Sequence, residues 1–145
     1  MHLENFNIAK DFGAIEVRGS YIDLHNNFDF IGLEYDISNR VLRLHWALGA
    51  GDWIPKNSPT EIQFVFRGVY LFKAKERDSQ LPFSEDDCLS TLGFIGNDLI
   101  NEVEGFCDLQ PSENTTHLNI SFMSGFALKV GCETATCLIN ENGNK

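Results

Sequence analysis

Residues 29 to 48 read DFIGLEYDISNRVLRLHWAL, and this stretch decides the fold because apolar residues alternate with other residues through most of it. Alternation with a period of two indicates β-strands that bury one face. A Ser-Asn pair separates the two alternating runs. The stretch therefore predicts an antiparallel hairpin with Ser38 and Asn39 at its turn.

The two strands of this hairpin fit a single register. The apolar face then contains the pairs Tyr35–Leu42, Leu33–Leu44 and Ile31–Trp46. The outward face contains the pairs Glu34–Arg43 and Gly32–His45. A shift by one residue would turn the leucines and the tryptophan toward solvent, so the pattern predicts the register as well as the strands.

The rest of the chain repeats the alternation between turns rich in Gly, Asn, Asp and Pro. We expect about eight strands in an antiparallel β-sandwich or an open barrel, a mainly β fold, with an α+β fold as the alternative. No internal repeat or linker-like composition divides the sequence. One globular domain over residues 1–140 and a frayed tail over residues 141–145 are therefore expected.

One short helix is predicted near residues 85–92. Ser84 and Asp87 have the spacing of a capping box, and acidic residues suit the positive end of a helix. Leu89 and Leu92 follow at the spacing of an apolar helical stripe.

The composition indicates a globular protein with its own core. Of the 145 residues, 43% are hydrophobic and twelve are phenylalanine. The first residues lack a basic segment followed by an apolar run, and no apolar run approaches the roughly 18 residues of a membrane span. We therefore expect a soluble, cytoplasmic protein.

No motif in the sequence predicts catalysis, a metal site or a cofactor. The four histidines are scattered, and the spacing of Cys132 and Cys137 does not match a zinc site with a second ligand pair. The cysteines, which are Cys88, Cys107, Cys132 and Cys137, are expected to be reduced and to pack as small hydrophobic residues. Nucleophile elbows, phosphate-binding loops and dinucleotide fingerprints are absent from the sequence.

The net charge of −10 lies mostly in the second half of the chain. Residues 1–79 contain nine Lys and Arg against eleven Asp and Glu, whereas residues 80–145 contain two against ten. Such a field repels nucleic acid and anionic membranes and favours cationic partners. Acidity that serves solubility alone gives the same composition, and both interpretations remain open.

The outward face of the hairpin is the second candidate surface. His45, Arg43 and Glu34 converge there, and with Asp52 they form the one grouping that suggests an enzyme. In the structural interpretation, Glu34 pairs with Arg43 and the imidazole covers Gly32. Apolar residues share this face, so it is also a candidate contact patch, consisting of Phe30, Glu34, Val41, Arg43 and His45.

These observations favour a non-enzymatic module that binds a basic protein, such as an immunity-type inhibitor of a toxin nuclease. The predicted contact residues are acidic, namely Glu85, Asp86, Asp87, Glu102, Glu104 and Asp108. Two alternatives stay open. The phenylalanines are compatible with a cavity for a small apolar ligand, and dispersed residues are compatible with an enzyme.

Overall fold

The computed structural model describes residues 1–94 and 117–140, and β-strands account for most of them. The strands are β1 (His2–Leu3), β2 (Phe6–Ile8), β3 (Ala14–Val17), β4 (Ser20–Asp23), β5 (Phe28–Asp36), β6 (Val41–Leu48), β7 (Glu61–Arg67), β8 (Leu71–Lys75), β9 (Leu89–Phe94), β10 (Leu118–Phe122), β11 (Ala127–Gly131) and β12 (Thr134–Asn140). A four-residue helix α1 (Leu24–Asn27) and a 3₁₀ turn (Phe83–Glu85) complete the described elements. The mainly β prediction is confirmed.

The described strands form three sheets. One has five strands in the order β1-β12-β7-β6-β5, one has four in the order β8-β11-β10-β9, and one has three in the order β2-β3-β4. The arrangement is sandwich-like, and the described strands do not close into a barrel. No helix in the described part of the chain is long and apolar enough to cross a bilayer.

The β5–β6 hairpin has the predicted register over most of its length. The observed partners include Tyr35–Leu42, Leu33–Leu44, Glu34–Arg43 and Gly32–His45. The turn lies at the predicted position, and Arg40 adopts a φ of 53° within it. Asp36 accepts hydrogen bonds from the backbone and side-chain amides of Asn39, which stabilise the turn locally.

The predicted Ile31–Trp46 pair is wrong because β5 contains a bulge. Phe30 lies opposite Trp46, Gly32 lies opposite His45, and Ile31 between them has no partner. Gly32 has a φ of 150°, a conformation that residues with a Cβ rarely adopt, so glycine permits the irregular backbone. Because Ile31 is an extra residue, the side chains before it lie on the opposite face of the sheet from the one that regular alternation predicts.

Phe30 consequently points into the core, where it joins two sheets. Its ring centre lies 4.9 Å from that of Trp46 on β6 and 4.7 Å from that of Phe122 on β10. Trp46 also packs on Phe64 of β7, with centres 5.1 Å apart. Ile31, the residue that the alternation predicts to be buried, is 62% exposed. An aromatic ring in this position buries more apolar surface than an isoleucine side chain.

The helix predicted near residues 85–92 is wrong. Residues from Leu89 onward form strand β9, and helical structure in this region is limited to the 3₁₀ turn before it. The pairing of β9 with β10 skips Ser90, so a second bulge places Leu89 and Leu92 on the same buried face. That three-residue spacing imitates a helical stripe.

Replacing Phe30 is expected to test the bulge in β5. Phe30→Ala should lower the free energy of unfolding by about 2–3 kcal/mol, because it removes the ring between Trp46 and Phe122. Ile31→Ala should cost less than about 0.5 kcal/mol, because its side chain is exposed. Urea unfolding of both variants measures these costs. If Ile31→Ala lowered the free energy of unfolding more than Phe30→Ala does, Ile31 would be the buried residue and β5 would have no bulge.

Candidate functional site

Residues 83–88, here called the acidic turn, are fixed from one side by Arg77. Its Nε donates to both carboxylate oxygens of Asp86, at 2.8 and 3.1 Å. Its Nη2 donates to the carbonyl of Leu81 at 2.7 Å, and its guanidinium carbon lies 4.5 Å from the centre of the Phe83 ring. Phe83 is nevertheless 80% exposed. An exposed ring that is already oriented loses little entropy when a partner covers it.

Backbone hydrogen bonds attach the acidic turn to the bulge in β5. The amide of Phe30 donates to the carbonyl of Asp87 at 2.9 Å, so the turn lies directly beside the bulge. On the other side, the amide of Ser124 donates to the carbonyl of Glu85 at 3.1 Å. These carbonyls bond to other segments, so they do not serve as acceptors for the helix predicted near residues 85–92.

The turn and the bulge enclose a shallow depression of about 330 Å³, here called the acidic–apolar groove. Its lining consists of Phe30, Ile31, Gly32, Arg77, Phe83, Asp86, Asp87 and Phe126. Two of its most exposed members, Ile31 and Phe83, are large apolar residues. Exposed apolar side chains that are clustered beside charged groups are typical of a protein contact surface.

The electrostatics of the groove are negative. Hydrogen bonds from Arg77 and Ser124 hold the pKa of Asp86 below its usual value, so the guanidinium is already paired. Burial raises the pKa of Asp87, and the neighbouring carboxylates of Asp29, Asp86 and Glu85 raise it further. A carboxylate that is held at a cost to the fold is a common feature of functional sites, and a cation placed beside it would relieve the repulsion.

The structure places half of the predicted acidic contact residues in or beside this groove. Asp86 and Asp87 line it, and Glu85 belongs to the same turn. The other three predicted residues, Glu102, Glu104 and Asp108, lie outside the described residues. The tail over residues 141–145 also lies outside them.

The predicted contact patch on the hairpin is divided between two places. Phe30, predicted to face outward, instead packs inward against Trp46 and lines the groove. Val41 is half-buried on the outward side of β6. The patch therefore does not form one surface, because the bulge moves Phe30 away from the rest.

The polar part of that patch has a different pairing from the one predicted. Glu34 and Arg43 are opposite each other in the ladder, but the Glu34 carboxylate lies 3.9 Å from Nε2 of His45. The amide nitrogen of Gln63 lies 3.1 Å from Nδ1 of the same imidazole. Asp52 lies in the exposed loop after β6, apart from these contacts. The grouping that suggested an enzyme is thus a set of cross-strand contacts that does not include Asp52.

The described cysteines have the environment of protonated thiols. Burial raises the pKa of Cys132 to about 11 and that of Cys137 to about 12. Burial and nearby carboxylates also raise the pKa of Cys88, and all three thiols are free. Thiols with raised pKa values are poor nucleophiles. Cys107 lies outside the described residues.

Five residues of the groove were missed by sequence reasoning, namely Ile31, Gly32, Arg77, Phe83 and Phe126. One local signal points to Phe83, because an aromatic residue between Pro82 and an acidic run has little chance of being buried in a strand. Ile31 has no such signal, since the bulge that exposes it interrupts an otherwise regular alternation.

A search of residues 1–94 and 117–140 finds no group of three His, Cys, Asp or Glu side chains that could hold a metal ion. No protein-family model, curated protein or solved structure matches the chain significantly. The chemistry of the groove itself therefore carries the evidence about function.

Asp87→Asn is expected to stabilise the protein at neutral pH. The folded-state pKa of Asp87 is raised, so its ionised form destabilises the fold at pH 7 and the neutral amide removes that cost. The advantage should shrink as the pH falls through this pKa, and it should vanish near pH 3, where the carboxyl is protonated. Thermal unfolding, followed by circular dichroism at pH 7 and at pH 3, measures the difference in melting temperature between Asp87→Asn and the unmodified protein.

The matched control is Asp52→Asn, which neutralises an exposed loop carboxylate outside the groove. Asp52→Asn should leave the midpoint of thermal unfolding nearly unchanged. A lower midpoint for Asp87→Asn at pH 7 would show that the Asp87 carboxylate stabilises the fold, which contradicts the direction expected from its raised pKa.

Proposed function

We propose that this chain is a non-enzymatic protein-binding module and that its acidic–apolar groove receives a cationic segment of another protein. The observation that carries the proposal is the position of two exposed apolar side chains, Ile31 and Phe83, beside an acidic turn. Apolar contacts supply the centre of such an interface, and carboxylates around it select the charge of the partner.

The charge of the groove supports a partner with lysine or arginine next to an apolar residue. Arg77 is neutralised by Asp86, so Asp29, Glu85 and Asp87 set the local field. A basic side chain approaching Asp87 gains attraction and relieves the repulsion among the carboxylates. An apolar neighbour in the same segment fits between Phe83 and Ile31, which frame the groove.

Inhibition of a basic enzyme, such as a toxin nuclease, is the activity that best suits this chemistry. A nuclease binds phosphates through cationic side chains, and an acidic module can occupy that surface and associate rapidly with it. The same net charge of −10 argues against nucleic acid as the partner of the module. The free thiols of the described cysteines support a reducing compartment, and we place the protein in the cytoplasm.

Titration with the synthetic peptide acetyl-KLKKLKK-amide, followed by amide chemical shifts, tests this function. The shifts should be largest at residues 29–32 and 83–87, which form the groove and its rim. The double variant Glu85→Gln, Asp87→Asn should weaken binding about tenfold, because two of the carboxylates are lost. Phe83→Ala should weaken binding without any change in charge.

The control must remove the same charge elsewhere. The double variant Glu16→Gln, Asp52→Asn does so at two exposed positions that do not line the groove. It should bind the peptide within about twofold of the unmodified protein. Equal weakening in both double variants, with no effect of Phe83→Ala, would show that net charge alone attracts the peptide and would overturn the proposal.

A further inference from the structure

A second and larger cleft lies away from the acidic–apolar groove. It has a volume of about 1090 Å³ and is here called the edge cleft. Most of its walls come from strand β4, helix α1, the loop over residues 53–59 and the end of strand β12, and Asn5 also lines it. Its charged lining residues are Arg18 and Asp23, one of each sign, so charge does not define its ligand.

One wall of the edge cleft is the edge of β12, which the other described strands cover only in part. Strand β12 pairs with β7 along its whole length, but on its other side β1 pairs with Thr134 and Ala135 alone. None of the described strands pairs with the remainder of that side. The unpaired part ends at Asn140, whose carbonyl points to the opposite side and accepts from Thr60 at 2.9 Å.

The side chain of Asn5 bonds to part of this edge in the way a peptide group would. Its Nδ2 donates to the carbonyl of Cys137 at 2.7 Å, and its Oδ1 accepts from the amide of Cys137 at 2.8 Å. A side-chain amide here occupies the place of a peptide group in a neighbouring strand. Because the direction of backbone groups alternates along a strand, the next outward N–H and C=O belong to Ile139, which lines the cleft.

The opposite wall of the edge cleft, formed by strand β4, is also a strand edge. Strand β4 pairs with β3, and the two are joined by a two-residue turn in which Arg18 has a φ of 51° and Gly19 a φ of 80°. In such a turn the two flanking residues, here Val17 and Ser20, exchange backbone hydrogen bonds. Because the direction of backbone groups alternates along a strand, the N–H and C=O of Tyr21 point away from β3. Tyr21 lines the cleft, and 55% of its side chain is exposed.

An exposed tryptophan completes the edge cleft. Trp53 is 71% exposed, and its indole N–H donates to the carbonyl of Asn26 at 3.1 Å. Its ring also lies over Gly51, where an added Cβ would fall 2.4 Å from the ring atoms. The ring is therefore held in place before any ligand arrives, as in other rigid aromatic contacts.

We propose that the edge cleft binds an extended peptide segment, which adds to β12 as a new strand through the N–H and C=O of Ile139. Main-chain hydrogen bonds to an open edge supply affinity in this mode, and pockets for alternate side chains supply specificity. Trp53 contacts one face of the bound segment. This site is independent of the acidic–apolar groove and does not rest on the function proposed for it.

A random 12-residue peptide library displayed on phage, selected on the immobilised full chain, provides the probe. Selected peptides are synthesised, and their Kd is measured by isothermal titration calorimetry, which serves variants at Trp53 as well. Ile139→Pro should weaken binding at least tenfold, because it removes the outward N–H that the added strand needs. Ile139→Ala keeps that N–H and should bind within about threefold.

N-methylation of the peptide gives a readout that does not depend on the stability of any variant. Methylation of the one peptide amide that donates to the carbonyl of Ile139 should weaken binding, whereas methylation of the amides on either side of it should not, since a strand directs only alternate N–H groups to its partner. Trp53→Ala should weaken binding of the same peptides.

Three results would overturn the proposal. The library would yield no peptide whose binding is lost in Ile139→Pro while it is retained in Ile139→Ala. The methylation series would contain no amide whose methylation weakens binding while methylation of its two neighbours does not. A neutral oligosaccharide, with cellohexaose as the probe, would shift the Trp53 emission while selected peptides did not, which would mean that the cleft is a saccharide site.

Discussion

Phe30 packs between Trp46 of the five-stranded sheet and Phe122 of the four-stranded sheet, and the rest of the structure depends on that contact. The ring reaches both partners because β5 has one extra residue, which changes the direction of its side chains between Gly32 and Phe30. The bulge thus does two things at once. It joins the sheets through an aromatic ring, and it leaves Ile31 on the surface beside the acidic turn.

Much of the hairpin could be predicted because its two strands constrain each other. Leu42, Leu44 and Trp46 require a buried face. Leu33 and Tyr35 lie opposite Leu44 and Leu42 in the register that the alternation predicts, although Leu33 is 38% exposed. The bulges could not be predicted in this way. A period of two does not reveal where one residue is skipped, and the skip at Ser90 made a buried strand resemble a helix. The bulge in β5 brings Phe30 against Phe122, which is distant in sequence, and the skip in β9 depends on its pairing with β10.

The candidate site was predictable in its charge but not in its shape. Asp86 and Asp87 stood out as part of an acidic run, and the structure places them in the groove. Their apolar neighbour Ile31 comes from a strand more than 50 residues earlier, and the two segments meet through the hydrogen bond from Phe30 to Asp87. Sequence patterns report local periodicity and composition, whereas this surface arises from a tertiary contact. The edge cleft was missed for the same reason, since its walls come from β4 and β12.

The bulge in β5 places Ile31 in the lining of the acidic–apolar groove together with Phe83, and the proposed function depends on this placement. The most direct measurement is a set of intermolecular nuclear Overhauser effects between the labelled protein and the lysine–leucine peptide. We expect contacts from the leucine methyl groups of the peptide to the methyl groups of Ile31 and to the ring of Phe83. Contacts to Val41 or His45 on the outward face of the hairpin, with none to Ile31 and Phe83, would contradict a binding surface at the bulge.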